Sequence, residues 1–184
     1  MRFSTLNAWL NWLEQLHPVE IDLGLDRVLA AAKHLKVLSF SATVITVAGT
    51  NGKGSTVAAL QALLSQPHLN KPAPRVATYT SPHLIRFTER ITLDGQPIDE
   101  LTLCQALESV DQARLATDVS LSYFEFTTLA ALVVFAQTSL DYIILEVGLG
   151  GRLDAVNVVD ADVAVITQIA IDHESWLGSN REVI

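Results

Sequence analysis

Residues 44–56 read Val44-Ile45-Thr46-Val47-Ala48-Gly49-Thr50-Asn51-Gly52-Lys53-Gly54-Ser55-Thr56, and this stretch decides the fold. A β-branched run stops at a glycine, and the helix-compatible segment Ser55 to Leu64 follows. That is a strand, a glycine loop and a helix. Such a loop lets backbone N–H groups approach a polyphosphate closely, while the start of the helix adds the positive end of its dipole. Lys53 would bring a full charge, and Ser55 or Thr56 a hydroxyl for a magnesium ion. The match to G-x-x-x-x-G-K-[ST] is imperfect, because Val47 stands where the first Gly belongs and Gly54 separates Lys53 from Ser55. An ordinary Gly-rich turn would also join a strand to a helix; the added Lys-Gly-Ser favours phosphate binding.

Upstream, Thr5 to Leu16 places Leu6, Trp9, Leu10 and Leu13 at helical spacing, and Leu25 to Leu38 repeats the pattern with Val28, Leu29, Ala32 and Leu35. Downstream, Gln66 to Pro74 contains three prolines and can only be a connection. Arg75 to Thr80 then reads as a strand, and Arg90 to Ile98 as a hairpin turning at Asp94-Gly95. Helices are predicted at Asp99 to Ala116 and Phe124 to Gln137. Tyr142 to Leu145 and Val163 to Thr167 are continuous apolar runs of strand length, the pattern of strands buried on both faces. Their alternation with helices predicts an α/β fold, a mostly parallel sheet of P-loop type flanked by helices. Ser179 to Ile184 begins a helix-like pattern where the sequence stops, so an incomplete domain is expected.

Composition narrows the function classes. With 184 residues, 49% hydrophobic and 17% charged, the chain is globular and can bury one sizeable core. Its 12 Lys and Arg against 20 Asp and Glu give a net charge of -8, so it lacks the bulk positive field of a general nucleic-acid binder. Any anion must be held locally. The single cysteine, Cys104, excludes an internal disulfide and a Cys-cluster metal site, and makes the cytoplasm the expected compartment. The N-terminal residues have no uninterrupted signal-peptide core, and no apolar stretch approaches the ~18 residues that span a bilayer. No membrane partner is expected.

Three further constellations could carry chemistry. Glu146 ends a predicted buried strand in Leu145-Glu146-Val147-Gly148-Leu149-Gly150-Gly151-Arg152-Leu153-Asp154, where a lone carboxylate is costly without a cation or hydrogen bonds. A metal ion would serve; so would a helix cap or an ion pair with Arg152. His173 lies just beyond another strand, in Ile169-Ala170-Ile171-Asp172-His173-Glu174. It could ligate a metal or be structural. His17, His34 and His68 read as surface or capping residues. Ser81 follows a strand end in Tyr79-Thr80-Ser81-Pro82-His83, with Arg86, Glu89 and Arg90 at one-turn spacing if that stretch is helical. It either turns its hydroxyl inward or starts a helix with a solvated charged face. In open α/β sheets ligands bind beyond the carboxyl ends of the strands, so Lys53, Ser81, Glu146 and His173 should line one edge. Such an edge suits Mg-nucleotide and phosphoryl chemistry.

Six ordered strings then resemble one family closely: the folylpolyglutamate synthase and dihydrofolate synthase enzymes, relatives of the muramyl ligases. They are Ile21 to Arg27, Gly49 to Ser55, Thr80 to Leu84, Tyr123 to Phe126, Glu146 to Ala155, and Asp172-His173. The resemblance implies an ATP-dependent amide ligase joining L-glutamate to dihydropteroate, to a folate, or to both, through an acyl phosphate. By similarity, Gly49, Thr50, Asn51, Gly52, Lys53, Gly54 and Ser55 would form the ATP-phosphate site. Ser55, Ser81, Glu146 and His173 would hold magnesium, with Lys53, Glu146 and His173 as the catalytic set. Asp22 and Leu23, Ser122, Tyr123, Phe124 and Glu125, and Leu153, Asp154 and Ala155 would meet the pterin substrate. A cytoplasmic monomer is expected.

The resemblance also implies what these residues lack. The family's C-terminal domain, which completes the ATP and glutamate sites, is absent from residues 1–184, as is its modified lysine. The 184 residues alone are therefore expected to be inactive or nearly so. Lys71-Pro72-Ala73-Pro74 replaces the family's usual short glycine turn, a change confined to a loop. A muramyl-type amino-acid ligase and a non-catalytic nucleotide-binding module are the alternatives.

Overall fold

Strand β1 (Thr43–Ala48) buries four consecutive residues, Val44 to Val47, because both of its faces are covered. The pleat sends Val44 into the larger core, shared with α1 (Leu6–Leu16), α2 (Asp26–Leu35), α4 (Glu100–Thr117) and α5 (Tyr123–Ala136). It sends Ile45 and Val47 the other way, against Val57 of α3 (Lys53–Leu64). The computed structural model describes residues 1–17, 22–67 and 72–180, and these form three layers: a helical layer, a sheet and α3.

The sheet order is β4-β3-β2-β5-β1-β6, with β2 (Val76–Tyr79), β3 (Ile91–Leu93), β4 (Gln96–Pro97), β5 (Tyr142–Glu146) and β6 (Val163–Ile166). Strands β2, β5, β1 and β6 are parallel, and the β3–β4 hairpin adds an antiparallel edge. Its turn is Asp94-Gly95, as predicted, with both residues at positive φ (51° and 78°), which a two-residue turn between twisted strands requires. Register then does the functional work. Val47 lies opposite Glu146 and Tyr79 opposite Leu145, so the chain leaves β1, β2 and β5 at one edge of the sheet.

Helix α5 is buried from Glu125 to Phe135, and its start is closed by a capping box: Ser122 Oγ accepts from Glu125 N–H and the Glu125 carboxylate from Ser122 N–H. Helix boundaries fall within two or three residues of those predicted. α2 stops early because Lys36 takes the left-handed conformation (φ 59°).

One expectation is corrected, and one of the two readings of Ser81 is excluded. β6 was expected to be buried on both faces, yet Val163 is 47% and Ile166 70% exposed. Among the described residues it pairs with β1 alone, and only its partly buried Val165 packs on the α3-side core. An apolar run reports a surface that needs a cover, not whether the cover is there. Ser81 does not start a helix either: the first turn after β2 is the 3₁₀ turn Phe87–Arg90. Glu89 explains this, since its carboxylate accepts from the N–H groups of Leu84, Ile85 and Arg86 and is thereby held below the usual carboxylate range. It organises the loop rather than sitting on a solvated helix face. No helix among the described residues is long and apolar enough to cross a membrane. His68, and Ser179 to Ile184 beyond residue 180, lie outside the described residues.

Candidate functional site

The glycine loop is stitched to the segment that follows β6. Thr50 N–H donates to Gln168 O (2.9 Å), Thr50 Oγ1 donates to Ala170 O and accepts from Ala170 N–H (3.0 Å each), and Asn51 bridges to Gln168. Thr167 Oγ1 lies 3.1 Å from Ala48 O and 2.8 Å from Asn51 O, near enough to donate to either. Gly49 is required here, because at φ 132° a Cβ would come within 2.1 Å of Thr167 Oγ1. Gly52 caps α3, which opens at Lys53, two residues before the predicted start. The Lys53 ammonium donates to its own loop, at Gly49 O (2.8 Å) and Thr50 O (3.3 Å). Ser55 is exposed in the first turn of α3.

Glu146 closes the rim from the side of β5. It is 4% exposed, and its Oε2 accepts from Ser81 N–H at 3.0 Å. Burial pushes its carboxyl above the usual range, opposed by the Ser81 N–H, the Lys53 charge and the Gly54 N–H. The alternative partner fails: Arg152 is exposed, no ion pair among the described residues joins it to Glu146, and Asp154 caps the 3₁₀ turn Ala155–Val158 instead. His173 sits at φ 50° before α6 (Glu174–Leu177), half exposed, with Asp172 Oδ2 3.9 Å from its Nε2.

Two clefts meet at this edge. A narrow one of about 50 Å³ is lined by Gly49, Thr50, Lys53, Gly150, Asp172 and His173. A wide one of about 970 Å³ runs from Ser81 and His173 toward Asp22 and Glu14. They share Gly148, Leu149 and His173. Of the residues expected at the rim, Lys53 and His173 line the narrow cleft, Ser81 and His173 the wide one, and Glu146 touches Ser81, while Ser55 lines neither cleft. All nine residues assigned to the pterin by resemblance, Asp22, Leu23, Ser122 to Glu125 and Leu153 to Ala155, line the wide cleft.

Several of those side chains are already engaged with protein groups. Asp154, 3% exposed, accepts from Leu149 N–H (2.8 Å) and Val156 N–H (3.1 Å); burial nevertheless pushes its carboxyl up to about 6. Glu125 and Asp22 both pair with Arg27, at 2.8 and 2.9 Å, which ties the wall before α2 to the start of α5. Sequence reasoning missed Arg27. It also placed His17 on the surface or at a cap. His17 does occupy the C-cap of α1, but its side chain is only 9% exposed and bonds to Ser120 and to Asp22, and both His17 and Asp22 line the wide cleft. His34 is exposed, as expected. Among the described residues, no three His, Cys, Asp or Glu side chains gather as a metal-binding group. The donors expected for magnesium are instead two hydroxyls, one carboxylate and one imidazole.

A strand, glycine loop and helix at the edge of a mostly parallel sheet, opening into a second and wider cleft, define an α/β protein of P-loop type. The chain belongs to the dihydrofolate synthase/folylpolyglutamate synthase family. It is 51% identical over 181 residues to the dihydrofolate synthase/folylpolyglutamate synthase of Escherichia coli K12, covering 98% of this chain and 41% of that protein. The structure of E. coli FolC in complex with DHPP and ADP superposes with a TM-score of 0.90 at 49% identity, over 98% of this chain and 42% of that one. A bifunctional folylpolyglutamate synthase/dihydrofolate synthase with Mn, AMPPNP and L-glutamate bound gives a TM-score of 0.85 at 49% identity, over 97% and 42% of the two chains. No protein-family model matches. The chain spans about two fifths of the length of the curated relatives it matches.

Proposed function

We propose that these residues supply the nucleotide-phosphate site and the acceptor cleft of an ATP-dependent ligase that adds L-glutamate to dihydropteroate, to folates, or to both. The observation that carries this is the junction of the two clefts at Gly148, Leu149 and His173. A phosphate seated on the glycine loop and a carboxylate in the wide cleft would meet there.

A carboxylate is a poor acyl donor because oxide is a poor leaving group. Transfer of the γ-phosphoryl group to a carboxylate oxygen releases ADP and makes an acyl phosphate. The glutamate amine then attacks the carbonyl carbon, loses a proton, and phosphate leaves. The residues of this chain bind and orient: the N–H groups of Asn51 to Lys53 and the Lys53 ammonium would face the phosphates, Thr50 N–H and Gly54 N–H being taken by Gln168 O and Glu146, and no protein nucleophile is needed. Cys104, buried in α4, takes no part.

The resemblance assigns a divalent cation to this rim. Glu146 is a buried carboxylate whose proton affinity is raised, the oxygen donor a magnesium ion takes, and the hydroxyls of Ser55 and Ser81 and the His173 imidazole would be its further ligands. Bound there, magnesium would offset charge on the transferring phosphates. The reaction belongs in the cytoplasm with its ATP, by a monomer, and the 184 residues alone turn over little or nothing.

The test is a phosphate-release assay of the full-length protein with ATP, L-glutamate and dihydropteroate, a reduced folate or a uridine-nucleotide peptide. Release that requires glutamate together with dihydropteroate or the folate supports the ligase. Release with the uridine nucleotide instead, or saturable ATP binding with no release under any condition, overturns it.

A further inference from the structure

The wide cleft is lined by four carboxylates, Glu14, Asp22, Glu125 and Asp154, and by one arginine or lysine, Arg90. Asp22 and Glu125 are matched by Arg27, outside the cleft lining, and Asp154 by backbone N–H groups. Arg90 has no anionic partner among the described residues. It is partly buried at the end of the 3₁₀ turn that precedes β3.

Its orientation is nonetheless fixed. Arg90 Nε donates to His83 Nδ1 at 3.0 Å, and the guanidinium carbon lies 5.0 Å from the centroid of Phe87 and 5.9 Å from that of Tyr123. Phe87 in turn packs edge-on against both His83 and Tyr123. Only Nε is spent. The terminal N–H groups remain without a protein acceptor among the described residues, on a planar fork whose geometry matches a carboxylate. Because the fork is clamped before a ligand arrives, little side-chain freedom is lost on binding. Arg90 does not line the narrow cleft, where Lys53 faces the phosphate side, so the anion it awaits belongs to the other ligand.

We propose that Arg90 is the carboxylate-recognition residue of the wide cleft: its free guanidinium edge pairs with the acid group of the acceptor seated against Phe124 and Tyr123. This deepens the ligase reading above and rests on its acceptor assignment.

The test uses the full-length protein with ADP present and measures the affinity of dihydropteroate and of its methyl ester, by calorimetric titration, for wild type, Arg90→Met and Arg90→Lys. A hydrogen-bonded charge pair of this kind corresponds to roughly 10- to 100-fold in affinity. Arg90→Met is expected to lose that for the acid and to change the ester by less than about threefold, with Arg90→Lys in between. Equal losses for acid and ester, or no loss, overturn the assignment. ADP affinity and the melting temperature check the fold, and if Arg90→Met does not fold, the acid-against-ester comparison on Arg90→Lys decides. Wild-type protein that binds neither probe would overturn the acceptor reading together with this one; binding of both, with the preference unchanged in the variants, overturns this one alone.

Discussion

The narrow cleft is built around the glycine loop and the glycines after β5. Gly49, Thr50, Gly148 and Gly150 line it, the glycine loop is held by bonds to residues 167–170, and its one lysine, Lys53, folds back on carbonyls of its own loop. The wide cleft is made of side chains: Phe124 and Tyr123 on one wall, and carboxylates held by Arg27 or by backbone donors on the others. A phosphate is nearly the same object in every nucleotide, so rigid backbone donors suffice for it. An organic acid must be told from its neighbours, and that takes shaped side chains and placed charges.

If the two ends are built separately, they should fail separately. The largest effect is expected from Lys53→Met in the full-length protein: turnover should fall by about 10²- to 10³-fold, as for removal of one charge-stabilising donor, while acceptor affinity stays within about twofold. A parallel loss of acceptor affinity would show that the division is false. Next come two glycines. Gly49→Ala forces a Cβ onto Thr167 at a strained φ and should cost about 2–4 kcal/mol in a denaturant melt. At Gly148 the Cβ would meet the Phe124 ring at 2.6 Å, and a ring can swing; Gly148→Ala should cost under ~1 kcal/mol of stability yet weaken the acceptor at least about tenfold.

Asp154 gives a pH signature at the wide end only. Its carboxyl is raised from 3.8 to about 6, so the fold favours the protonated acid, by roughly 3 kcal/mol at most. That contribution is fully present below about pH 4 and is lost as pH rises through 6. Wild-type stability measured against Asp154→Asn should therefore fall between pH 4 and pH 7; a flat or rising difference would contradict the burial argument. The smallest effect is expected at Arg152. With Glu146 bound to the Ser81 N–H instead, Arg152→Ala should change stability by less than ~0.5 kcal/mol.

How much could be read in advance follows the same division. The glycine loop is contiguous in sequence, so a strand ending at Gly49 and a helix opening near Lys53 were visible from local pattern alone. Sheet register then brought Ser81 and Glu146 to the same edge, as strand order in an α/β fold leads one to expect. The lining of the wide cleft was reached through family resemblance, not through periodicity. Arg27 and Glu125 are 98 positions apart, and nothing local to either announces the pair. Arg90 reads as one member of a solvated charge run only if its stretch is helical, and Glu89 gathers that backbone into a loop instead. β6 misled in the opposite direction, its apolar run being mistaken for a covered strand.

That strand has a practical consequence. Val163 and Ile166 lie on a β-ribbon whose far side carries no neighbour among the described residues, so its outward N–H and C=O groups form a ready template for another extended segment. In concentrated solution the 184-residue polypeptide has its colloidal weak point there, and a lysine introduced at position 166 is the simplest way to keep copies from adding to one another's sheets.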